Sequence, residues 1–153
     1  MDRTLVILKP SAIARELAGA VISRFERRGL IIQGLKMISL DDEILNEHYA
    51  HLVGKPFFPS ILRSMKATPV VVMVLAGRDA VNVVRKMTGA TNGRAAEPGT
   101  IRGDFCVSNQ ENIVHASDSP ESASAEIKRF FRPEELFDYQ PAKIRTIYAD
   151  DEV

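Results

Sequence analysis

The sequence predicts an α/β (α+β) sandwich, in which helices pack on a β-sheet. Residues 4–8 (TLVIL) and 70–75 (VVVMVL) are continuous apolar runs, which are typical of strands covered on both faces at the centre of a sheet. Residues 30–40, with ragged alternation around Gly34, and residues 112–116 supply two further strands, which we expect at the edges. Segments with helical spacing separate the four strands.

The first helix is predicted over residues 12–28. Ile13, Leu17 and Phe25 follow the spacing of one helix face. Two arginines precede Gly29, which is typical of a cationic last turn followed by a glycine C-cap. The segment is therefore interpreted as one continuous helix that ends at Gly29.

Two more helices are predicted between the second and third strands. One begins at Asp41-Asp42 and continues through the apolar positions to the region of Leu52, before a glycine and a proline. The other, over residues 57–65, is short and bracketed by prolines. A helix through Val81 and Met87 follows the third strand.

The rest of the chain combines a long loop with one more helix. Residues 89–103 show no periodicity, and a loop of this length is usually functional or disordered. Pro120, after Ser119, begins a last helix that ends near Phe131. The tail after Asp138 is predicted to be irregular, with frayed acidic residues at its end.

This order of elements gives the ferredoxin-like βαββαβ topology. With the two apolar strands at its centre, the predicted sheet has four antiparallel strands and helices on one face. A chain of 153 residues without a repeat or linker is expected to form a single domain over residues 1–153.

Composition excludes several classes of protein. Twenty basic residues balance twenty acidic ones, so no overall field attracts nucleic acid or membrane. No segment reaches the roughly 20 apolar residues of a membrane helix, and the N-terminal apolar run is too short for a signal peptide. Cys106 is the single cysteine, which suits a reducing compartment. We therefore expect a cytoplasmic protein.

His115 is the candidate reactive side chain, because it follows a strand and precedes a turn at the lip of the sheet. Glu126 falls roughly 40° from Phe130 on the inward helix face, at about 100° per residue. A carboxylate there needs a partner, and His115 or Ser117 can supply it. A carboxylate bonded to one imidazole nitrogen leaves the other free as nucleophile or base. The alternative, a structural core histidine with Glu126 at the surface, stays open.

The long loop and its neighbours are rich in groups that bind phosphate. Arginine side chains, hydroxyls and glycine amides favour phosphate through charge-assisted bonds and close backbone approach, although polar loops often have this composition. Lys9, at the end of the first strand, adds a positive charge or simply caps the strand. The loop candidates are Arg85, Thr91, Asn92, Arg94, Gly99, Thr100, Arg102 and Gly103.

Aromatic and histidine residues in the middle of the chain have structural explanations. Phe57-Phe58, between prolines, is more typical of a core anchor than of a stacking platform. Glu47, His48 and His51 form the order E-H-x-x-H rather than the metal-binding order H-E-x-x-H, and the sequence offers no third metal ligand nearby. We expect a solvated helix face there rather than a metal site.

Several motifs together resemble nucleoside diphosphate kinases along essentially the whole chain. The most specific is N-x-x-H-x-S-D over residues 112–118, with P-G-T-I-R-G-D upstream of it. The stretches LVILKP, EHY, KPFFPS, ATPVVVMVLAG and MTGATN add to the resemblance. It implies the ferredoxin-like fold and transfer of a γ-phosphate from a nucleoside triphosphate to a nucleoside diphosphate.

The resemblance also implies a ping-pong mechanism through a phosphohistidine on His115, without deciding which imidazole nitrogen is phosphorylated. By similarity, Glu126 and Ser117 orient the imidazole and Tyr49 borders the transferred group. The residues implied to hold phosphates are Lys9, Arg85, Thr91 and Arg102. Mg²⁺ would bridge the phosphates, with Asp118 touching it through water.

For the nucleoside, the resemblance implies that Phe57 stacks on the base with Ile61 near it. Asn112 and Lys9 reach the ribose 3′-hydroxyl. These contacts do not depend on which base is present or on the substituent at the 2′ position. The site is therefore expected to accept purine and pyrimidine nucleotides, in both ribo and deoxy forms. The resemblance further implies a homo-oligomer, and the extension past Tyr139 favours a hexamer over a tetramer.

Two other functional classes remain to be separated from this one. A catalytically inactive member of the family could act as a binding or regulatory protein, since a fold can be retained after catalytic activity is lost. A nucleic-acid-binding ferredoxin-like module would need a basic, aromatic sheet face, which neutral charge and two apolar central strands argue against.

Overall fold

The computed structural model describes residues 1–153 and contains one four-stranded antiparallel sheet. The spatial order of the strands is β2-β3-β1-β4, so the two most apolar strands are central, as predicted. This is the ferredoxin-like arrangement. The strands are β1 (Asp2–Leu8), β2 (Ile31–Ile38), β3 (Val70–Gly77) and β4 (Val114–Ala116).

Eight helices surround the sheet. None of them has both the length and the apolar character needed to cross a bilayer. Short 3₁₀ turns occur at Ala50–Leu52 and Pro133–Glu135. The helices are α1 (Pro10–Ala14), α2 (Ala18–Arg28), α3 (Asp42–His48), α4 (Phe58–Met65), α5 (Ala80–Thr88), α6 (Ile101–Phe105), α7 (Pro120–Phe130) and α8 (Ile144–Ile147).

Helices cover both faces of the sheet, so the prediction of helices on one face is wrong. On one face, Val6 and Met73 pack with Phe25 of α2 and with α5. On the other face, Ile7 packs with Phe130 of α7 and with α3 and α4. Because side chains alternate along a strand, a central strand that is apolar at every position needs cover on both sides.

The first predicted helix is two helices. Glu16 has a φ of 56°, in the left-handed region. The amide of Glu16 donates to the carbonyl of Ile13, and that of Leu17 donates to the carbonyl of Ala12. These two bonds form a Schellman motif, which ends α1. The apolar spacing continues across the break, so periodicity alone could not reveal it; the predicted end at Gly29 is confirmed.

Two segments that were expected to be irregular contain short helices. Thr100 caps α6 inside the predicted 89–103 loop, where its hydroxyl accepts a hydrogen bond from the amide of Gly103 at 3.0 Å. In the tail, Ile144 of α8 is buried against the start of β2 and the end of β3. Arg78 donates hydrogen bonds to the carbonyls of Asp151 and Glu152, so the final acidic residues are docked rather than frayed.

Candidate active site

The ends of β1 and β4 place two chemically active side chains at the same edge of the sheet. His115 on β4 pairs with Ile7 of β1, and Lys9 follows the end of β1 directly. The amide of Lys9 donates to the carbonyl of Ile113 at 2.9 Å, which keeps the two chain segments together. Two neighbouring cavities open here: a large chamber of about 570 Å³ and a small chamber of about 280 Å³.

The two chambers collect every site residue that the family resemblance implies except Ser117, which is fully buried beside them. The loop candidates that line neither chamber are Asn92, Arg94, Gly99, Thr100 and Gly103. Four predicted residues line both chambers, namely Lys9, Tyr49, Thr91 and Asn112. Those that line only the large chamber are Arg85, Arg102, His115, Asp118 and Glu126. Those that line only the small chamber are Phe57 and Ile61.

His115 and Glu126 form the central pair of the large chamber. Nε2 of His115 lies 2.6 Å from Oε2 of Glu126, which leaves Nδ1 as the ring nitrogen without this partner. Burial would raise the pKa of the Glu126 carboxyl, but the hydrogen bond and charge of His115, with help from Ser117, hold that pKa below its usual value. Glu126 is therefore an anion beside the imidazole.

The sequence around α7 explains where Glu126 lies. The hydroxyl of Ser119 accepts a hydrogen bond from the amide of Ser122 at 3.0 Å, and Pro120 occupies the first helical position, as predicted. From this start, Glu126 falls on the buried face with Ala123. Ser117 is fixed by β1, since its hydroxyl accepts from the amide of Leu5 at 3.2 Å.

A tight turn precedes His115. Ile113 has a φ of 60°, and the amide of Val114 donates to the carbonyl of Asn112 at 2.8 Å, which is the hydrogen bond of a three-residue γ-turn. The side-chain amide of Asn112 donates to the carbonyl of Thr91 at 2.8 Å. This turn is why β4 begins at Val114 rather than at 112, and it anchors the chain just before the histidine.

His48 also belongs to the site, so the prediction that it lies on a solvated helix face is wrong. Its ring centroid is 4.7 Å from that of His115, and Arg129 Nη1 donates to its Nδ1 at 2.9 Å. Burial, followed by the charge of His115, lowers the pKa of His48 to about 3. His51, by contrast, is exposed. The missed signal was the position of His48 on the apolar stripe of α3 with Leu45.

The nitrogen and oxygen atoms of His48, His115 and Glu126 lie within 4.8 Å of one another. Nδ1 of His48 accepts a hydrogen bond from Arg129, and Nε2 of His115 lies within hydrogen-bond distance of Glu126, so these two ring nitrogens already have protein partners. Mg²⁺ prefers oxygen ligands and usually binds through one or two carboxylates and substrate phosphates. Asp118, an exposed carboxylate at the rim of the large chamber, fits that requirement better than the histidine cluster.

Cationic side chains surround the imidazole. Lys9 Nζ donates to Oδ1 of Asn112 at 2.7 Å, and burial, reinforced by the charge of Arg102, lowers the pKa of Lys9 to about 8. Arg102 donates to the carbonyls of Gly89 at 2.9 Å, Val114 at 2.6 Å and Asn112 at 3.4 Å, which leaves two of its five N–H groups without a protein acceptor. Burial lowers the pKa of Arg102 as well. Such a ring of cations suits a multiply charged anion.

Tyr49 lies between the two chambers. Its ring centroid is 4.8 Å from that of His48 in an edge-to-face arrangement. Burial and the charge of Glu126 raise the pKa of Tyr49 to about 12, so its hydroxyl keeps its proton.

The small chamber has an exposed aromatic ring at its mouth. Phe57 is 50% exposed and Phe58 only 6%, so the two neighbours have opposite roles. The core-anchor interpretation is wrong for Phe57 and describes Phe58. Ile61, one turn further along α4, lines the chamber beside Phe57. A ligand that carries both a flat ring and an anionic group can therefore place the ring against Phe57 and the anionic group in the large chamber.

Comparisons with known proteins find one family, both by a family model and by individual relatives. A family model described as nucleoside diphosphate kinase matches residues 2–136. A nucleoside diphosphate kinase of Parabacteroides distasonis is 56% identical over 152 residues, with 99% of each chain covered. One from Pyrococcus abyssi is 56% identical over 145 residues, which cover 93% of this chain and 91% of the relative.

Solved structures give the same result for the fold. A nucleoside diphosphate kinase of Halobacterium salinarum, solved in complex with CDP, superposes with a TM-score of 0.93 at 38% identity, covering 96% of this chain and 98% of that one. The Encephalitozoon cuniculi enzyme superposes with a TM-score of 0.92 at 40% identity, covering 97% and 100%.

Proposed function

Since this chain belongs to the nucleoside diphosphate kinase family, we propose that it transfers the γ-phosphate of a nucleoside triphosphate to a nucleoside diphosphate through a phosphohistidine. The observation that carries the proposal is the contact between Nε2 of His115 and Glu126, within a chamber lined by cations. Residues 1–153 would act as one catalytic domain.

In the first half-reaction, the lone pair on Nδ1 of His115 attacks the γ-phosphorus. The bond between that phosphorus and the β–γ bridging oxygen breaks, and the nucleoside diphosphate leaves with the electron pair. Because Nε2 faces Glu126, Nδ1 is the nitrogen available for phosphorylation. The Glu126 anion balances positive charge that develops on the ring as the new bond forms.

In the second half-reaction, a terminal phosphate oxygen of a different nucleoside diphosphate attacks the phosphorus on His115. The phosphorus–nitrogen bond breaks, its electrons return to Nδ1, and a new nucleoside triphosphate leaves. Both nucleotides use the same chambers in turn, which gives ping-pong kinetics.

Positioning of the anion falls to the side chains around the large chamber. Lys9, Arg85 and Arg102 would hold phosphate oxygens and disperse the charge of the transition state. The Thr91 hydroxyl would add a neutral donor, and Tyr49 would border the transferred group without losing its proton. Ser117, buried next to the His115–Glu126 pair, would help to orient the imidazole, and it contributes to the lowered pKa of Glu126.

Mg²⁺ fits the site through Asp118. When bound, the ion would neutralise phosphate charge. Asp118 would hold it directly or through a coordinated water, in the manner of sites that bind Mg²⁺ with one carboxylate and the substrate phosphates. The exposure of the carboxylate at the chamber rim supports this assignment.

The proposed activity includes broad specificity, which the lining of the small chamber supports. Phe57 offers a stacking surface, which suits any base, and Ile61 adds an apolar contact. Lys9 and Asn112, which line both chambers, would meet the 3′-hydroxyl of the ribose. The relative from Halobacterium salinarum was solved with CDP, a pyrimidine nucleotide.

The β2 edge supports assembly into a homo-oligomer. No strand of this chain pairs with the outer side of β2, and Leu35 and Met37 on it are 50% and 60% exposed. The amide of Phe137 donates to the carbonyl of Gln33 at 2.8 Å, so the tail of this chain pairs with the edge at that residue. The exposed apolar part of the edge is stabilised when another chain covers it. We favour a hexamer over a tetramer and a cytoplasmic location. Leu35→Glu should lower the molar mass measured by light scattering. An unchanged molar mass would exclude the β2 edge as the contact between subunits.

The phosphohistidine is tested by incubating the protein with Mg²⁺ and ATP labelled at the γ-phosphate. The label should be acid-labile and alkali-stable, and any common nucleoside diphosphate should remove it. His115→Ala should abolish labelling while keeping the far-ultraviolet circular dichroism spectrum. Normal labelling of this variant would refute the assignment of the nucleophile.

A further inference from the structure

Two pairs of side chains join α4 to the turn formed by residues 109–111. The Ser64 hydroxyl donates to Oε1 of Glu111 at 2.6 Å. The Gln110 amide nitrogen lies 3.3 Å from the hydroxyl oxygen of Ser60 and 3.5 Å from its carbonyl oxygen. Ser60 and Ser64 are one helical turn apart, so both face the same segment.

These contacts lie at the small chamber. Phe57, just before α4, lines one side, and Asn109 and Gln110 line the side formed by the turn. Ser64 also lines the chamber. The distance between α4 and the turn therefore sets the width of the space open to a flat ring.

The inner end of the turn is fixed to the large chamber. The side-chain amide of Asn112 donates to the carbonyl of Asn109 at 2.9 Å, while its Oδ1 accepts from Lys9. The turn is thus held to the phosphate-binding residues on one side. On the other side, its side-chain contacts to α4 are those of Gln110 and Glu111.

We propose that the pairs Ser64–Glu111 and Ser60–Gln110 form a latch that sets the width of the small chamber and so determines affinity for the nucleoside half of the substrate. The inference rests on the proposed function, because it takes the small chamber as the nucleoside site. A latched chamber is preorganised, so less conformational freedom is lost when the base enters. An unlatched chamber offers the Phe57 ring without a fixed opposite wall.

The latch acts on one half of the ligand only, which makes it separable from general stability. ADP uses both chambers, whereas pyrophosphate has no base and uses only the large one. Loss of the latch should weaken ADP binding and leave pyrophosphate binding unchanged. Ser64 and Gln110 are better targets than Glu111, because the charge of Glu111 also raises the pKa of Lys9.

The test is isothermal titration of the full-length protein with ADP and with pyrophosphate. Ser64→Ala and Gln110→Ala should each raise the Kd for ADP about threefold to tenfold, and the double variant should raise it further. The Kd for pyrophosphate should stay within about twofold. Ser64→Thr retains a hydroxyl and should keep the wild-type affinity for ADP. Ser124→Ala, an exposed serine on α7, is the matched control.

An unchanged Kd for ADP in the double variant would overturn the latch, and so would a parallel loss of pyrophosphate binding. Failure of the proposed function has a different signature. In that case, the wild-type protein itself would bind no ADP or accept no label from ATP.

Discussion

Oε2 of Glu126 lies 2.6 Å from Nε2 of His115, whereas the other carboxylate oxygen, Oε1, is buried without a hydrogen-bond partner. The carboxylate therefore directs its charge at one edge of the imidazole. A carboxylate beside Nε2 favours the tautomer of His115 that carries its proton on Nε2 and has a lone pair on Nδ1. The pair fixes both the direction and the electronic state of the candidate nucleophile.

The first prediction concerns this charge. Glu126→Gln keeps the shape of the side chain and an oxygen for Nε2, but removes the negative charge. We expect the rate of His115 labelling by ATP to fall about tenfold to a hundredfold, because charge-assisted hydrogen bonds are roughly twice as strong as neutral ones. Single-turnover labelling measures the effect.

Glu121→Gln, on the exposed first turn of the same helix, is the matched control and should label at the wild-type rate. The pKa of Glu126 is below the usual value of a glutamate. Its negative charge is therefore present at neutral pH and is lost only as the pH falls through that lowered pKa. The ratio of the wild-type labelling rate to that of Glu126→Gln isolates the contribution of this charge, and this ratio should therefore stay constant between about pH 6 and 8. Equal labelling rates in both variants would contradict the role of Glu126.

The second prediction concerns pH and Lys9. The pKa of Lys9 is lowered to about 8 by burial, so its positive charge is present below that pH and disappears above it. We expect the KM for nucleoside diphosphates to rise as the pH passes through 8, since neutral lysine holds phosphate poorly. Steady-state kinetics from pH 6.5 to 9.5 measure this rise.

Lys9→Arg supplies a comparison, because guanidinium stays charged over this range. Its KM should change little with pH, even if its geometry raises the KM overall. A wild-type KM that is flat to pH 9.5 would show that Lys9 keeps its charge or does not contact substrate.

The third prediction concerns the exposed ring of Phe57. Stacking of a base on an aromatic side chain contributes about 1–3 kcal/mol. Phe57→Ala should therefore raise the KM about 5-fold to 150-fold, by similar factors for purine and pyrimidine diphosphates. Phe57→Tyr should retain wild-type values, and Phe137→Ala, another exposed ring outside both chambers, should have no effect.

A base preference above about a hundredfold in the wild-type protein would contradict stacking as the main contact, since it corresponds to about 2.7 kcal/mol. Stacking would also be contradicted if Phe57→Ala raised the KM for the diphosphate of one base and left the KM for the others unchanged.

Local patterns in the sequence predicted the central features of the fold and site. Continuous apolar runs placed β1 and β3 at the centre of the sheet, because strands buried on both faces have no polar side. The inward position of Glu126 followed from helical spacing, and its partner from proximity in sequence to His115.

Features that depend on tertiary contacts were not predictable in this way. Glu16 ends α1 in a conformation that usually belongs to glycine, so no glycine marked the break. His48 needs Arg129, which is 81 residues away in sequence, to satisfy its ring nitrogen. The docking of Ile144 on the sheet likewise depends on distant strands.

The fourth prediction concerns the γ-turn before His115. Ile113 is fully buried and has a φ of 60°, a conformation that costs a β-branched residue about 1–3 kcal/mol. Ile113→Ala removes core packing and keeps the backbone strain, so it should destabilise the protein by about 2–5 kcal/mol. Ile113→Gly loses the same packing but relieves the strain, since glycine adopts positive φ freely.

The glycine variant should therefore be at least as stable as the alanine variant, which reverses the usual order. Ile7 on β1 is also fully buried, but lies in a regular strand, and serves as the control. There, glycine should be less stable than alanine by about 0.5–1 kcal/mol. Urea unfolding at one protein concentration gives both comparisons. If Ile113→Gly were less stable than Ile113→Ala by the same margin as at Ile7, the turn would store no strain.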